Sequence, residues 1–273
     1  MLLLKLMPSI DFEDLLAQAD QLRDNARVDE AVLAYKEIAE MATDKHETFF
    51  KARALHSAGL SATDSVLDQE SSYYRDALTF FTAAEALYRT LDDHKMLGAL
   101  FRDIASCSDN AADYSRAVTY YQKATEILEP TDYFGELAAT YGQLGLHFYK
   151  LGQFKEAEAF VDRALQIFKK EPTAGYLRAT TLITGAKIKF KLGQLEQSRD
   201  WAEESMSWFR ADHDGHIYSQ YQTQLYGLLA GIYRELGEDK QFAESYQHYW
   251  QSLKDFDPLA VKVLERDLQR LAL

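Results

Sequence analysis

The chain has 273 residues, 47% of them apolar and 13% aromatic, with thirteen glycines, four prolines and one cysteine. That much apolar material excludes disorder as the default state, and scarce Gly and Pro beside plentiful Ala, Leu, Glu, Gln and Lys favour long helices over strands joined by frequent turns. A formal net charge of -13, from 30 Lys+Arg against 43 Asp+Glu, repels phosphate backbones and anionic lipid heads and so argues against nucleic-acid and membrane partners.

The opening stretch Met1 to Pro8 is apolar but short, is interrupted by Lys5, and lacks the basic lead-in and small-residue cleavage site of a secretory signal. It reads as a frayed or docked terminus over residues 1–11, and Met7 is an alternative start because helical patterning begins only after Ser9. No other stretch approaches the length of about 20 apolar residues that crosses a bilayer.

From Phe12 onward the chain predicts pairs of helices. The first pair, about 12–45, carries Leu15, Ala19 and Leu22 on its first helix and Ala31 and Tyr35 on its second. The second, about 46–91, has Leu55, Ala58, Gly59 and Ala62, then Ala77 and Phe81; the third, about 92–131, has Phe101, Ile104 and Ala105, then Ala117 and Tyr121. These sets recur at spacings of three and four, the signature of one helical face. Cys107 lies in the third pair, has no second cysteine to pair with and no adjacent His or Lys to activate it, and is expected to be a small packing residue in a reducing, cytoplasmic compartment.

The fourth pair, about 132–173, is the clearest. Tyr141, Leu144, Gly145 and Phe148 share one face of its first helix, Leu151-Gly152 supplies a stop, and Ala157, Val161 and Ala164 form the matching face of its second. A missing side chain at Gly145 lets the partner helix approach closely, and Gly152 can adopt the positive φ that ends a helix. The fifth pair, about 174–213, has Leu182, Gly185, Ala186, Ser198 and Ala202, and the sixth, about 214–254, has Tyr226, Leu229, Ala230, Tyr233, Ala243 and Tyr246. Equivalent small residues, Ala31, Ala77, Ala117, Ala157, Ser198 and Ala243, are spaced by 46, 40, 40, 41 and 45.

The segment from Tyr141 to Pro172 resembles the tetratricopeptide repeat: aromatic, Leu-Gly, aromatic; a Leu-Gly-x-aromatic turn; then Ala, a large apolar residue and Ala. The period exceeds the roughly 34 residues of the standard unit. With inter-repeat turns such as Leu91-Asp92-Asp93, Glu129-Pro130-Thr131-Asp132 and Glu171-Pro172-Thr173, whose acids and threonines can cap the next helix, it resembles the extended repeats of the Rap and PlcR-like peptide receptors of Gram-positive bacteria and of kinesin light chain. The resemblance spans about residues 12–254. It implies an all-α, right-handed superhelical solenoid of about six such helix pairs. Residues 255–273, with Asp257 and Pro258 at the start of a helix and Val261, Leu264, Leu268 and Leu271 on one face, are expected to form a C-terminal capping helix. Formation of a homo-oligomer through that helix is its rival role.

Phosphate loops, nucleophile elbows, His-Glu-x-x-His helices and paired Cys-x-x-Cys are absent from the sequence, so catalysis is not expected and neither cofactor nor metal is assigned. The turn His213-Asp214-Gly215-His216 offers two imidazoles without a second pair and is expected to be solvated. Most of the seventeen tyrosines are expected to be core, and Tyr35, Tyr121, Tyr141, Tyr226 and Tyr233 already hold repeat positions. Some Rap proteins accelerate dephosphorylation of a response regulator through an additional N-terminal helical bundle; the first repeat begins too early here for that activity to be carried over, and the same holds for the DNA-binding module of PlcR-like receptors.

The resemblance implies that first helices line a concave groove suited to a peptide or helix. One step off the packing faces stand Arg53 and His56; Arg102, Asp103, Asp109 and Asn110; Gln143, Tyr149 and Lys150; Lys187 and Lys191; and Gln224 and Arg234. The basic members predict a positive strip that takes a C-terminal carboxylate or acidic side chains, with Asn110 and Gln143 clamping backbone amides. The alternative is that neighbouring acids neutralise them. The expected function is a non-catalytic scaffold or adaptor for a protein or peptide, with a cytoplasmic receptor for a short regulatory peptide, or an accessory factor acting on a signalling partner, as alternatives.

Overall fold

The computed structural model describes residues 10–25, 27–63, 72–170, 175–210 and 216–256. Among them are twelve α-helices and no strand: α1 Phe12–Asp24, α2 Val28–Asp44, α3 Thr48–Thr63, α4 Ser72–Thr90, α5 His94–Asn110, α6 Tyr114–Leu128, α7 Phe134–Lys150, α8 Phe154–Phe168, α9 Gly175–Lys191, α10 Leu195–Arg210, α11 His216–Leu236 and α12 Asp239–Phe256. The chain forms two compact units, Met1–Thr140 and Tyr141–Leu273. The 1–9 segment, the Glu171-Pro172-Thr173 turn, His213 to Gly215 and the expected capping helix lie outside the described residues.

Aspartates start several helices by accepting the free N–H groups of the first turn. Asp11 Oδ1 takes the amides of Glu13 and Asp14 at 3.0 and 3.2 Å, Asp93 that of Met96 at 3.0 Å, and Asp113 that of Arg116 at 3.3 Å. Within three pairs the chain reverses through a left-handed glycine: Gly152, Gly193 and Gly237 have φ of +74°, +73° and +73°. The α5–α6 turn has Ala112 at that place, at φ +58°, a conformation that costs a residue bearing a Cβ on the order of 1 kcal/mol.

In the first unit, Ala31, Ala77 and Ala117 are fully buried, with Tyr35, Phe81 and Tyr121 behind them. The absent side chain of Gly59 is as important: a Cβ there would stand 2.5 Å from the Phe81 ring. In the second unit Ala157, Val161, Ser198 and Ala202 are buried in the same way, and a Cβ on Gly145 would meet Val161 Cγ2 at 2.6 Å. The sixth pair departs from the expected alignment. Ala243 is exposed, because the turn glycines Gly193 and Gly237 are 44 residues apart, which gives Phe242, not Ala243, the repeat position equivalent to Ser198. Cys107 is buried, and burial pushes its thiol up to about 12.

Candidate functional site

In the first unit the two arginines expected to face the groove, Arg53 and Arg102, are already paired. Arg53 on α3 donates to Glu13 on α1 at 2.6 Å. On α5, Arg102 donates through Nε to Asp103 Oδ1 at 3.0 Å and through Nη1 to Glu136 Oε2, in the first turn of α7, at 2.6 Å. The other carboxylate oxygen of Asp103 lies 3.0 Å from His56 Nε2 on α3. One chain of polar contacts, His56–Asp103–Arg102–Glu136, thus joins three first helices, and its members are 6% to 22% exposed. The His56 ring meets Phe81 and Tyr88 edge-on, each at 5.9 Å between centroids.

Burial works to raise the Asp103 carboxyl, but the Arg102 guanidinium and the hydrogen bond to His56 outweigh it and hold the carboxyl below its usual range. Burial likewise disfavours the Arg102 charge, and Asp103 and Glu136 together more than restore it. These residues therefore hold each other, and none of the charge on Arg102 is left over for a ligand. Asp109, expected to face the groove, is buried at 5% exposure and accepts the Tyr121 hydroxyl at 3.2 Å. Its carboxylate turns toward the second helix of its own pair because the phenol reaches the helix edge there. Asn110 is exposed.

The second unit differs. Lys187 on α9 is half-buried, and its ammonium donates to the side-chain oxygen of Gln224 on α11 at 3.1 Å. Among the described residues no carboxylate pairs with it, and burial alone lowers its pKa. Lys191 and Gln224 are exposed, and Arg234, 72% exposed, has only a 3.9 Å approach to Glu235. Lys150 is exposed and Gln143 half-buried; Tyr149, also half-buried, tilts against Phe154 at 5.7 Å, and burial raises its hydroxyl.

Sequence patterning missed the partners more than the cations. Glu13, Glu136 and Glu158 each lie far along the chain from the base they meet. Lys189, not singled out from sequence, is 6% exposed, donates to Glu158 at 2.7 Å and stands 5.0 Å from the Trp201 ring. Only its place among apolar neighbours on the packing face of α9 signals that it is buried. Among the described residues no group of three or more His, Cys, Asp or Glu side chains is arranged to hold a metal ion, and no helix is long and apolar enough to cross a membrane.

Residues 136–211 match the family described as tetratricopeptide repeat. No curated protein matches the chain. Solved structures share its fold at low identity. BtubC (BKLC) from P. vanneervenii superposes with a TM-score of 0.64 at 14% identity, over 91% of this chain and 93% of its own. Aspartyl phosphate phosphatase F from Bacillus subtilis gives 0.58 at 14% identity, over 91% and 77%. The apo form of the quorum sensor NprR from B. thuringiensis gives 0.57 at 16%, over 91% and 72%. Residues 136–211 thus match a tetratricopeptide repeat, and the chain, all-helical over its described residues, is similar in fold to these three structures.

Proposed function

We propose that the protein is a non-catalytic binding scaffold, and that the first-helix face of its second unit takes an anionic group of a peptide or protein. Lys187 carries the reading. An ammonium that is half-buried, donates to a neutral amide and has no carboxylate beside it among the described residues is a cation whose charge is uncompensated; an incoming carboxylate supplies the missing partner through a charge-assisted hydrogen bond. Lys191 and Arg234, exposed on α9 and α11, add attraction at longer range. The acids around Arg53 and Arg102 neutralise the corresponding bases of the first unit, so the strip expected along all first helices is reduced here to its second-unit part.

The reading is tested by capturing partners from source-cell lysate on the immobilised full chain and identifying both proteins and short peptides by mass spectrometry. The comparison is with Lys187→Glu and Lys191→Glu. Arg102 is left alone because its loss would disturb the fold. A partner lost on charge reversal and retained with Lys187→Arg supports the proposal, while partners indifferent to both reversals refute it. Peptides belong in the search because the fold is shared with a protein described as a quorum sensor.

A further inference from the structure

The second unit contains two crevices built on the same plan. One is lined by Asp162 and Leu165 of α8 and its C-cap residue Lys169, Leu182 of α9, and Trp201 and Glu204 of α10. In the other, Glu203, Met206 and Arg210 of α10 take the places of Asp162, Leu165 and Lys169, 41 residues on, as Gly193 follows Gly152. Tyr226 of α11 then stands for Leu182, and Ser245 and His248 of α12 for Trp201 and Glu204, all 44 residues on, as Gly237 follows Gly193.

The two differ in what occupies them. In the first, the Trp201 indole lies on α9: a Cβ on Gly185 would stand 2.6 Å from its ring. In the second, Leu229 replaces that glycine and Ser245 replaces the tryptophan. Leucine restores only part of the lost volume. The first crevice encloses about 190 Å³ and the second about 410 Å³, large enough for a small ligand.

We infer that the crevice between α10, α11 and α12 is an anchoring pocket for a tryptophan side chain of a partner polypeptide. The Tyr226 ring stacks on His248 at 4.8 Å with 20° between planes, Arg210 lies over Tyr226 at 5.6 Å, and Met206 and Leu229 line the crevice with them. Ring faces, a thioether and a guanidinium favour an aromatic guest over an aliphatic one. The crevice is also lined by Glu203, which accepts the Tyr233 hydroxyl at 2.5 Å, and by Glu244 and Ser245. These are acceptors, and an indole N–H is a donor only. Residues 257–273 contain no aromatic side chain, so that segment does not supply the guest. The pocket takes no residue of α9, which carries Lys187, and at 3.6 residues per turn Gln224 falls on the far side of α11 from Tyr226, Leu229 and Tyr233, so this pocket is separate from the anion site proposed above.

The test is two-dimensional NMR of the isotope-labelled full chain titrated with N-acetyltryptophanamide, with N-acetylleucinamide as the control. Saturable shifts confined to amides of α10, α11 and α12 are expected in the roughly millimolar range typical of one side chain's contact, with leucinamide at least about tenfold weaker. Ser245→Trp together with Leu229→Gly rebuilds the preceding pair and is expected to abolish the shifts. Equal response to both probes, shifts elsewhere, or binding that survives in the filled variant overturns the proposal. If the filled variant does not fold, the wild-type shift map decides between the same outcomes. Occupation by residues 257–273 or by a second copy would close the crevice to both probes, and that result also overturns it.

Discussion

Removing the Asp103 carboxylate isolates one link of the chain that joins α3, α5 and the start of α7. Asp103→Ala leaves the His56 Nε2 without its 3.0 Å partner and Arg102 with Glu136 alone, in a place where the Arg102 and Asp103 side chains are only 14% and 13% exposed. Breaking a buried charge pair from one side costs about 3–5 kcal/mol, and alanine returns roughly 0.5 kcal/mol of helix propensity. The expected loss is about 3–4 kcal/mol, with Asp103→Asn intermediate because it keeps one acceptor. Repeat chains open in parts, so urea unfolding should be accompanied by hydrogen exchange resolved on α3 and α5. The pH dependence supplies an independent check. The folded Asp103 carboxyl is held below its unfolded value, so its contribution is complete above about pH 4 and is lost as pH falls through the lower folded value. The gap between wild type and Asp103→Ala should close in that acid window. A loss under about 1 kcal/mol, the magnitude of an exposed pair, or a gap that persists unchanged into acid, would refute the reasoning.

Ala112→Gly relieves the φ of +58° and is expected to raise stability by roughly 0.5–1 kcal/mol in urea unfolding. Gly59→Ala drives a Cβ into the Phe81 ring and should cost about 1–3 kcal/mol; in a Phe81→Leu background the same change should cost less, which a double-mutant cycle reads directly. The buried Cys107, with its thiol pushed up to about 12, should react with a disulfide reagent only as fast as the surrounding helices open, and a fast native-state reaction would contradict its burial. Burial lowers the Lys187 pKa, so the folded state disfavours that charge and stability rises with pH from the lowered value toward the ordinary one of about 10.4. Lys187→Met should therefore be the more stable protein at neutral pH, with an advantage that narrows as pH climbs through that window.

The helix pairs were legible because burial imposes a period. Tyr35, Phe81 and Tyr121 follow their alanines by four residues and are all fully buried, as a single packed face requires. Gly145 and Gly152 were legible for the same kind of reason, one from close approach and one from backbone conformation. Periodicity gives the angle at which a side chain leaves its helix, but not what waits for it there. Asp109 has a groove-facing angle and is nonetheless covered, because the Tyr121 phenol reaches it. Arg53 and Arg102 were correctly taken as first-helix residues, yet Glu13 and Glu136 meet them from elsewhere in the chain. The misplaced Ala243 shows a further limit: matching small residues by type slips by one position where turn glycines fix the register.

The different treatment of charge in the two units has a consequence for ionic strength. At physiological salt, mobile ions screen exposed charges over about 8 Å but barely enter a desolvated cluster. The polar chain through Asp103 and Arg102 is closed off from that atmosphere, whereas the exposed Lys191 on α9 and Arg234 on α11 stand within it. Added salt should leave the first unit as firmly folded as before while loosening whatever anion the second unit holds, so that a simple salt titration separates the charges that build this protein from those it offers to others.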